Sequence, residues 1–128
     1  MGPIPIGSNF LPPYRDEHLT IDFDQAAAVL DGVRITLTRK EYELLSLLVR
    51  HAGEIIPRDA LLLQVWGYGC EIRTRTLDVH VRRLRQKLGG YASQYIETIF
   101  GIGYRFQPFR EARFLRASPA KTMMALGA

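Results

Sequence analysis

The chain has 128 residues, of which 47% are hydrophobic, and a formal net charge of +4. This length suits one domain with a single core, and the apolar content argues against a disordered chain. No apolar run reaches the about 20 residues that a membrane helix needs, and the N-terminal residues lack the pattern of a secretory signal. Cys70 is the only cysteine, which excludes an internal disulfide and a thiolate zinc site. We therefore expect no metal, no cofactor and a cytoplasmic location.

The positive charge is concentrated in one segment. Residues 71–88 contain six cations and two anions, so their balance equals the net charge of the whole chain. A localised basic patch on a neutral body is typical of a protein that binds a polyanion. A helix with an ordinary solvated charged face would have the same composition, so the charge alone leaves both interpretations open.

The N-terminal part predicts a tail followed by a small sheet. Residues 1–18 are expected to be a flexible linker, because four prolines fall among the first fifteen residues and proline disfavours helix and central strand. The segment "LTIDFD" at 19–24 alternates apolar and polar side chains, as a half-buried strand does. Two short apolar runs then flank Asp31–Gly32, a strong hairpin signal. Together these patterns predict an antiparallel sheet from about residue 19 to residue 37.

Two helices are expected next. The sequence "TRKE" at 38–41 matches a capping box, so a first helix should run from there to about His51. The residues "EII" at 54–56 are expected to add a short strand. Pro57 is placed to open a second helix, which should end near Trp66 before a glycine.

The segment "TRTLDVHVRRLRQKL" at 74–88 predicts a third helix with two different faces. At helical spacing, an apolar stripe faces the core and consists of Leu77, Val81, Leu84 and Leu88. The opposite side carries Arg75, Val79, Arg82, Arg83 and Gln86. Asp78 and Arg85 flank one edge of that side, and His80 and Lys87 flank the other. A purely solvated face would rarely hold a valine at its centre, so Val79 favours contact with another molecule.

The outward face has the side chains that read a DNA major groove. Arginine pairs with guanine, glutamine with adenine and aspartate with cytosine, while an apolar group contacts the thymine methyl. Docking of an acidic protein partner is the main alternative. RNA binding is disfavoured because the major groove of an A-form helix is too narrow for side chains. An enzyme is disfavoured because Asp78 and His80 point in different directions and no nucleophile has a matching base.

The C-terminal part predicts a hairpin and a tail. The sequence "QYIETIFGIGYRF" at 94–106 should form strands Tyr95–Ile99 and Tyr104–Phe106, with glycines at the turn. Residues 109–128 are expected to be a C-terminal tail. The fold class is therefore α+β, with one domain at 19–108.

Three motifs closely resemble the effector domain of OmpR/PhoB-type response regulators. They are VWG at 65–67, R-T-x-D-V-H-x-R-R-L-R in the third helix, and G-x-G-Y-R-F at 101–106. The resemblance runs in unbroken order from about Leu19 to Pro108. It implies a winged helix-turn-helix with an N-terminal antiparallel β-sheet, three helices and a C-terminal β-hairpin wing. Helix 75–88 would enter the major groove, and the wing would lie near the minor groove.

The resemblance also implies a set of contact residues. In the third helix, the positions used for bases or phosphates are Arg75, Thr76, Asp78, His80, Arg82, Arg83 and Arg85, to which the helical wheel adds Val79 and Gln86. In the wing, Thr98 and Tyr104 match positions that touch the DNA backbone. Phe100 replaces an arginine that some relatives use in the minor groove. Phe100 could contact DNA or pack within the hairpin, and both interpretations stay open here.

The resemblance implies partners besides DNA. The loop that in activators meets RNA polymerase corresponds to Gly67, Tyr68, Gly69, Cys70, Glu71, Ile72 and Arg73. A redox-sensitive Cys70 is a weaker interpretation than a neutral loop residue, because no second thiol could resolve it. Such proteins usually bind direct repeats of double-stranded DNA as head-to-tail dimers. They normally carry a receiver domain before the effector domain, and residues 1–18 are too short to form one.

Overall fold

A computed structural model describes residues 12–67 and 74–110. The first half forms a four-stranded antiparallel sheet in sequence order, with strands β1 Tyr14–Arg15, β2 Leu19–Asp22, β3 Ala27–Leu30 and β4 Val33–Ile35. The helical layer follows, with α1 Arg39–Arg50, α2 Arg58–Trp66 and α3 Thr74–Leu88, and strand β5 Ile55–Pro57 joins α1 to α2. A 3₁₀ turn at Gly89–Tyr91 then leads to the short helix α4 Ala92–Tyr95 and to strands β6 Ile96–Ile99 and β7 Gly103–Phe106. In the described ranges, no helix is long and apolar enough to cross a membrane.

The N-terminal sheet begins earlier than the sequence predicts. Tyr14 lies in β1 and pairs with Ile21 of β2, although residues 14–18 were expected to belong to the linker. The carboxylate of Asp16 closes the turn between these strands, because it accepts the backbone N–H groups of His18 and Leu19 at 2.8 and 2.9 Å. An aspartate whose side chain accepts backbone N–H groups two or three residues later favours a turn. The alternation of apolar and polar residues does not reveal this feature, so the turn was not predicted.

The folded unit also extends further at the C-terminal side. Phe109 was expected to start a tail, but its side chain is buried in the core and its backbone N–H donates to Asp16 at 3.1 Å. The remaining residues assigned to the two tails, 1–11 and 111–128, lie outside the described part of the chain.

Local signals in the first half are confirmed. Asp31 and Gly32 have φ angles of +50° and +82°, as a tight two-residue hairpin turn requires. At the start of α1, Thr38 accepts the backbone N–H of Glu41 and donates its own N–H to the Glu41 carboxylate, which completes the capping box. Strand β5 is also present where a short strand was expected.

The connection before the wing is more structured than expected. Gly89 leaves α3 with a φ of +61°, and the following turns carry Tyr95 into the core as the last residue of α4 rather than the first of a strand. The Tyr95 ring stacks on Phe106 with a centroid distance of 5.4 Å, and its hydroxyl donates to Asp16 at 2.7 Å. These contacts join the end of the helical layer to both sheets.

The core lies between the three helices and the two sheets. All four residues of the predicted α3 stripe are buried, namely Leu77, Val81, Leu84 and Leu88. The second sheet has the order β5-β7-β6. Its central strand sits so close to β5 that a Cβ on Gly103 would lie 2.0 Å from the carbonyl oxygen of Ile56. This close approach positions the β6–β7 hairpin beside the helices.

Candidate nucleic-acid interface

The outward face of α3 presents three exposed arginines, Arg75, Arg82 and Arg83. Within residues 12–67 and 74–110, none of their guanidinium groups forms a hydrogen bond or ion pair with another side chain or with the backbone. Gln86 is exposed on the same side of the helix, whereas Val79 is partly covered by the domain. Three exposed guanidinium groups on one helix face produce a local positive potential that attracts a polyanion.

Asp78 lies at one edge of this face, and its carboxylate contacts residues from two other elements. Arg58, at the start of α2, donates to both carboxylate oxygens at 2.7 and 2.8 Å. The hydroxyl of Tyr104, in β7, donates to Oδ1 at 2.7 Å. The sequence predicted a DNA contact for Asp78 and did not single out Arg58. The structure shows instead that Asp78 links α3 to α2 and to the wing.

The contacts of this cluster raise the pKa values of Tyr104 and Arg58. Burial raises the pKa of the Tyr104 hydroxyl, and the hydrogen bond to the Asp78 carboxylate raises it further. Burial acts to lower the pKa of Arg58, but the hydrogen bonds to Asp78 and Tyr104 outweigh it, so the pKa is raised. Tyr104 therefore stays a donor, and Arg58 stays a cation whose charge is matched by Asp78.

Arg85 forms a second link between α3 and the wing. Its guanidinium donates to the carbonyl oxygen of Ile96 at 2.9 Å and to the hydroxyl of Thr98 at 2.7 Å, both in β6. The guanidinium carbons of Arg85 and Arg58 each lie 5.8 Å from the centroid of the Tyr104 ring, within cation–π range. Arg85, Thr98 and Tyr104 were all predicted to contact DNA, and they lie together in the structure. The polar group of each forms a hydrogen bond to another element of the domain.

The other edge of the helix is also used inside the domain. The Nδ1 atom of His80 lies 2.8 Å from the carbonyl oxygen of Thr76, so Nδ1 carries the hydrogen, and the His80 ring packs edge-on against Trp66 at 4.9 Å. Lys87 donates to the carboxylate of Glu41, in α1, at 2.6 Å. The charge of Lys87 therefore belongs to an internal ion pair and not to the outward surface.

The wing ends in two exposed apolar side chains. Phe100 is 88% exposed and Ile102 is 51% exposed, on either side of Gly101, whose φ is +77°. The exposure of Phe100 argues against the interpretation that its ring packs within the hairpin. Below the tip, Glu97 and Arg105 pair across the two strands at 2.9 Å.

A family model described as "Transcriptional regulatory protein, C terminal" matches residues 32–106, which is more than half of the chain. The chain belongs to this family. ResD of Bacillus subtilis is 42% identical to the domain over 93 residues, and SrrA of Staphylococcus aureus is 40% identical over 94 residues. These matches cover 70% and 71% of the chain but only 39% of each relative, so the chain spans about two fifths of their length.

Solved structures confirm that the described domain has the winged-helix fold of OmpR/PhoB-type regulators. The DNA-binding domain of Klebsiella pneumoniae RstA, solved in complex with the RstA box, has a TM-score of 0.69 and 34% identity. The match covers 76% of this chain and 98% of that one. DrrB of Thermotoga maritima, described as an OmpR/PhoB homologue, has a TM-score of 0.68 and 33% identity over 74% of this chain and 44% of that one.

Eleven of the twelve predicted contact residues of the domain fall into two groups, and the twelfth, Phe100, is exposed at the tip of the wing. The first faces outward, has no side-chain partner in the described part of the chain, and consists of Arg75, Arg82, Arg83 and Gln86, with Val79 partly covered. The second is tied into the helix–wing junction or the helix edge and consists of Thr76, Asp78, His80, Arg85, Thr98 and Tyr104. Of the predicted polymerase loop, only Gly67 is described, and it ends α2 with a φ of +94°; residues 68–73 lie outside the described part.

Proposed function

We propose that this domain binds double-stranded DNA sequence-specifically to regulate transcription, as the effector domain of a two-component response regulator. The observation that carries the proposal is the row of Arg75, Arg82 and Arg83, which are exposed on α3 and whose guanidinium groups have no partner among residues 12–67 and 74–110. A helix fits the B-DNA major groove, and unpaired guanidinium groups there can pair with guanine edges or phosphates. The RstA domain, which has the same fold, was solved on its DNA box.

The two groups of residues take different roles in this proposal. The exposed arginines, Gln86 and the uncovered part of Val79 read bases and contact phosphates. Asp78, Arg85 and Tyr104 hold the wing against α3, so both elements reach one duplex with a fixed spacing. Thr76, His80 and Thr98 lie at the edges of this surface, where they can contact the DNA backbone. Asp78 can still accept from a cytosine, because about half of its side chain is exposed.

The same proposal extends to the partners that the family resemblance implies. The domain would bind direct repeats as head-to-tail dimers and would work in the cytoplasm, where bacterial DNA lies. The loop at 67–73 would contact RNA polymerase at an activated promoter. These partners are supported by the resemblance alone.

Selection from random duplexes at two salt concentrations tests the DNA-binding proposal. We expect a preferred sequence, a specificity ratio of at least ~10³ over random DNA, and a log–log salt slope of roughly −0.9 per phosphate contact. Arg83→Ala should cost about 1–3 kcal/mol of binding free energy and relax one base position. Arg34→Ala is a matched control, because Arg34 is an exposed arginine on β4 of the other sheet.

Two outcomes would contradict the proposal. If Arg83→Ala bound the best site as tightly as the parent, then α3 would not lie in the major groove as proposed. If the parent showed no preference among duplexes, then the basic helix would be better explained as a docking surface for an acidic protein.

A further inference from the structure

The edge of the N-terminal sheet exposes part of the face that elsewhere forms the core. Strand β4 is the last strand of that sheet, and its Val33 pairs with Leu30 of β3, which also pairs with Leu19 of β2. Side chains of directly paired residues lie on the same face of a sheet, so Val33 shares its face with Leu19. Leu19 is fully buried, whereas Val33 is 68% exposed. The described residues therefore leave the core face of this sheet uncovered at β4.

The uncovered strip is a shallow apolar depression beside the end of α3. Leu30, Val33 and Ile35 line it, with Lys87 from the last turn of α3 at its side. Ile35 lies on the same face as Val33, because it pairs with the buried Ala28. An exposed edge strand is a template for pairing with another chain, and proteins commonly cover such edges with a helix or a loop. The depression is therefore a surface that a further segment would stabilise by covering it.

The chain that follows the wing runs away from the DNA-facing side and along the domain. After β7, the N–H of Gln107 donates to the carbonyl oxygen of Tyr95 at 2.9 Å. The N–H of Phe109 then donates to Asp16, in the turn between β1 and β2, at 3.1 Å. The Phe109 ring packs edge-on against His18 with a centroid distance of 4.6 Å. These contacts carry the chain from the wing to the N-terminal sheet.

The partners of Phe109 lie next to the turn that begins β4. The Nδ1 atom of His18 lies 2.6 Å from the carboxylate of Asp31, and the hydroxyl of Tyr91 donates to the same carboxylate at 2.9 Å. Asp31 is the first residue of the two-residue turn between β3 and β4, so Val33 follows directly after that turn. The last described residues of the chain thus point toward the depression.

The segment that follows has apolar side chains at a suitable distance. Residues 111–118 read "EARFLRAS" and lie outside the described part of the chain. Phe114 and Leu115 are the first large apolar residues after Phe109. An extended chain advances about 3.3 Å per residue, so Phe114 can lie up to roughly 16 Å from Phe109. This reach is enough for a segment that starts beside Asp31 to cover β4.

We propose that residues 111–118 fold back over the edge of β4 and that Phe114 and Leu115 pack into the apolar depression. The contact is stabilised because apolar surface of the segment and of the sheet leaves water together. Once covered, β4 could no longer pair with a strand of another molecule. None of the residues of the proposed DNA interface takes part, so this inference stands apart from the proposed function.

The double variant Phe114→Ser/Leu115→Ser of the 128-residue chain tests the contact by NMR. In the parent, we expect nuclear Overhauser effects between the Phe114 ring and the Val33 methyl groups. The variant should shift the methyl signals of Val33 and Ile35, and amide hydrogen exchange in β4 should become about tenfold faster. The matched control is Met123→Ser/Met124→Ser, which makes the same kind of change further along the chain and should leave both readouts as in the parent.

Three results would overturn the proposal. The first is a Phe114→Ser/Leu115→Ser variant with the methyl signals and the β4 exchange rates of the parent. The second is an equal change in the methionine control, because the contact would then not depend on Phe114 and Leu115. The third is a parent whose signals move on dilution to the positions seen in the variant, because a second copy would then cover β4. The fluorescence of Trp66 checks that each variant is folded, since it is the only tryptophan and packs against His80 of α3.

Discussion

Replacing Lys87 by methionine tests whether a cation of the basic helix serves stability instead of DNA binding. Lys87 donates at 2.6 Å to the carboxylate of Glu41, which is only 1% exposed. Without Lys87, the carboxylate keeps the backbone N–H of Thr38 at 2.9 Å but loses its only described charge partner. Methionine retains most of the aliphatic length, so the change isolates the loss of the ammonium group.

The expected cost follows from the burial of the two partners. Breaking a fully buried ion pair costs about 3–5 kcal/mol, because the remaining charge is left without compensation. The side chain of Lys87 is 34% exposed, so water can reach part of the site after its removal. We therefore expect Lys87→Met to lower the free energy of unfolding by about 1–3 kcal/mol at pH 7. Arg83→Met, at an exposed arginine of the same helix, should change it by no more than about 0.5 kcal/mol.

The pH dependence gives a second readout of the same contact. Burial acts to raise the pKa of Glu41, but the hydrogen bonds from Lys87 and Thr38 outweigh it and hold the pKa below its usual 4.5. A lowered pKa in the folded state contributes stability above the unfolded value, and that contribution disappears as the pH falls through the folded value. The difference between the parent and Lys87→Met should therefore narrow once the pH drops below about 4.5.

Urea unfolding followed by Trp66 fluorescence at pH 7 and at lower pH measures both effects. The single variant Glu41→Gln and the double variant Glu41→Gln/Lys87→Met complete a double-mutant cycle. The double variant should lose less free energy of unfolding than the sum of the two single variants. Equal stability of Lys87→Met and Arg83→Met would refute the internal role of Lys87. The role would also be refuted if the stability difference between the parent and Lys87→Met stayed constant in acid, because the lost stability would then not involve the Glu41 carboxylate.

Three further changes probe the elements that position the interface, each by comparing denaturation midpoints with those of the parent. Gly103→Ala should lower the free energy of unfolding by about 3 kcal/mol or more, because the added Cβ would lie 2.0 Å from the carbonyl oxygen of Ile56. Gly90→Ala is the control, because a Cβ there meets no atom within 4 Å and should leave stability nearly unchanged. Arg85→Ala should lower the free energy of unfolding by about 1–3 kcal/mol, and it should weaken DNA binding because the wing loses its hydrogen bonds to α3. Arg85→Lys should restore part of both losses. Burial acts to raise the pKa of Asp16, but its hydrogen bonds hold the pKa below the usual 3.8. Asp16→Asn should therefore be less stable than the parent near neutral pH, and this stability difference should narrow as the pH falls below about 3.8.

The parts of the fold that the sequence predicted depend on short-range patterns. The apolar stripe of α3 is confirmed because residues three and four apart lie on one helix face wherever the helix is placed. The capping box between Thr38 and Glu41 and the turn at Asp31–Gly32 are confirmed for the same reason, since each needs only a few neighbouring residues. The N-terminal strand β1 was missed because two residues carry no periodicity, and its stability comes from pairing with β2.

The internal roles of the basic helix could not be predicted from local patterns. Arg85 reaches its partner Thr98 across 13 residues of sequence, Arg58 reaches Asp78 across 20, and Lys87 reaches Glu41 across 46. A helical wheel shows which way a side chain points, but it does not show which element lies there. The sequence placed the positive charge in one segment, whereas its division into outward and internal cations over residues 74–88 needed the fold.

The double attachment of α3 limits how this domain can be retargeted to another DNA sequence. Transplanting the whole helix from a relative would bring foreign side chains to positions 85 and 87, where Thr98 and Glu41 supply matched partners. Such a graft would disturb the angle of the wing and the start of α1 together with the base contacts. Redesign restricted to the outward positions would leave both attachments intact, and these positions are Arg75, Val79, Arg82, Arg83 and Gln86. Under the proposed function, these five side chains are the ones through which the target preference could be changed without loosening the wing or α1.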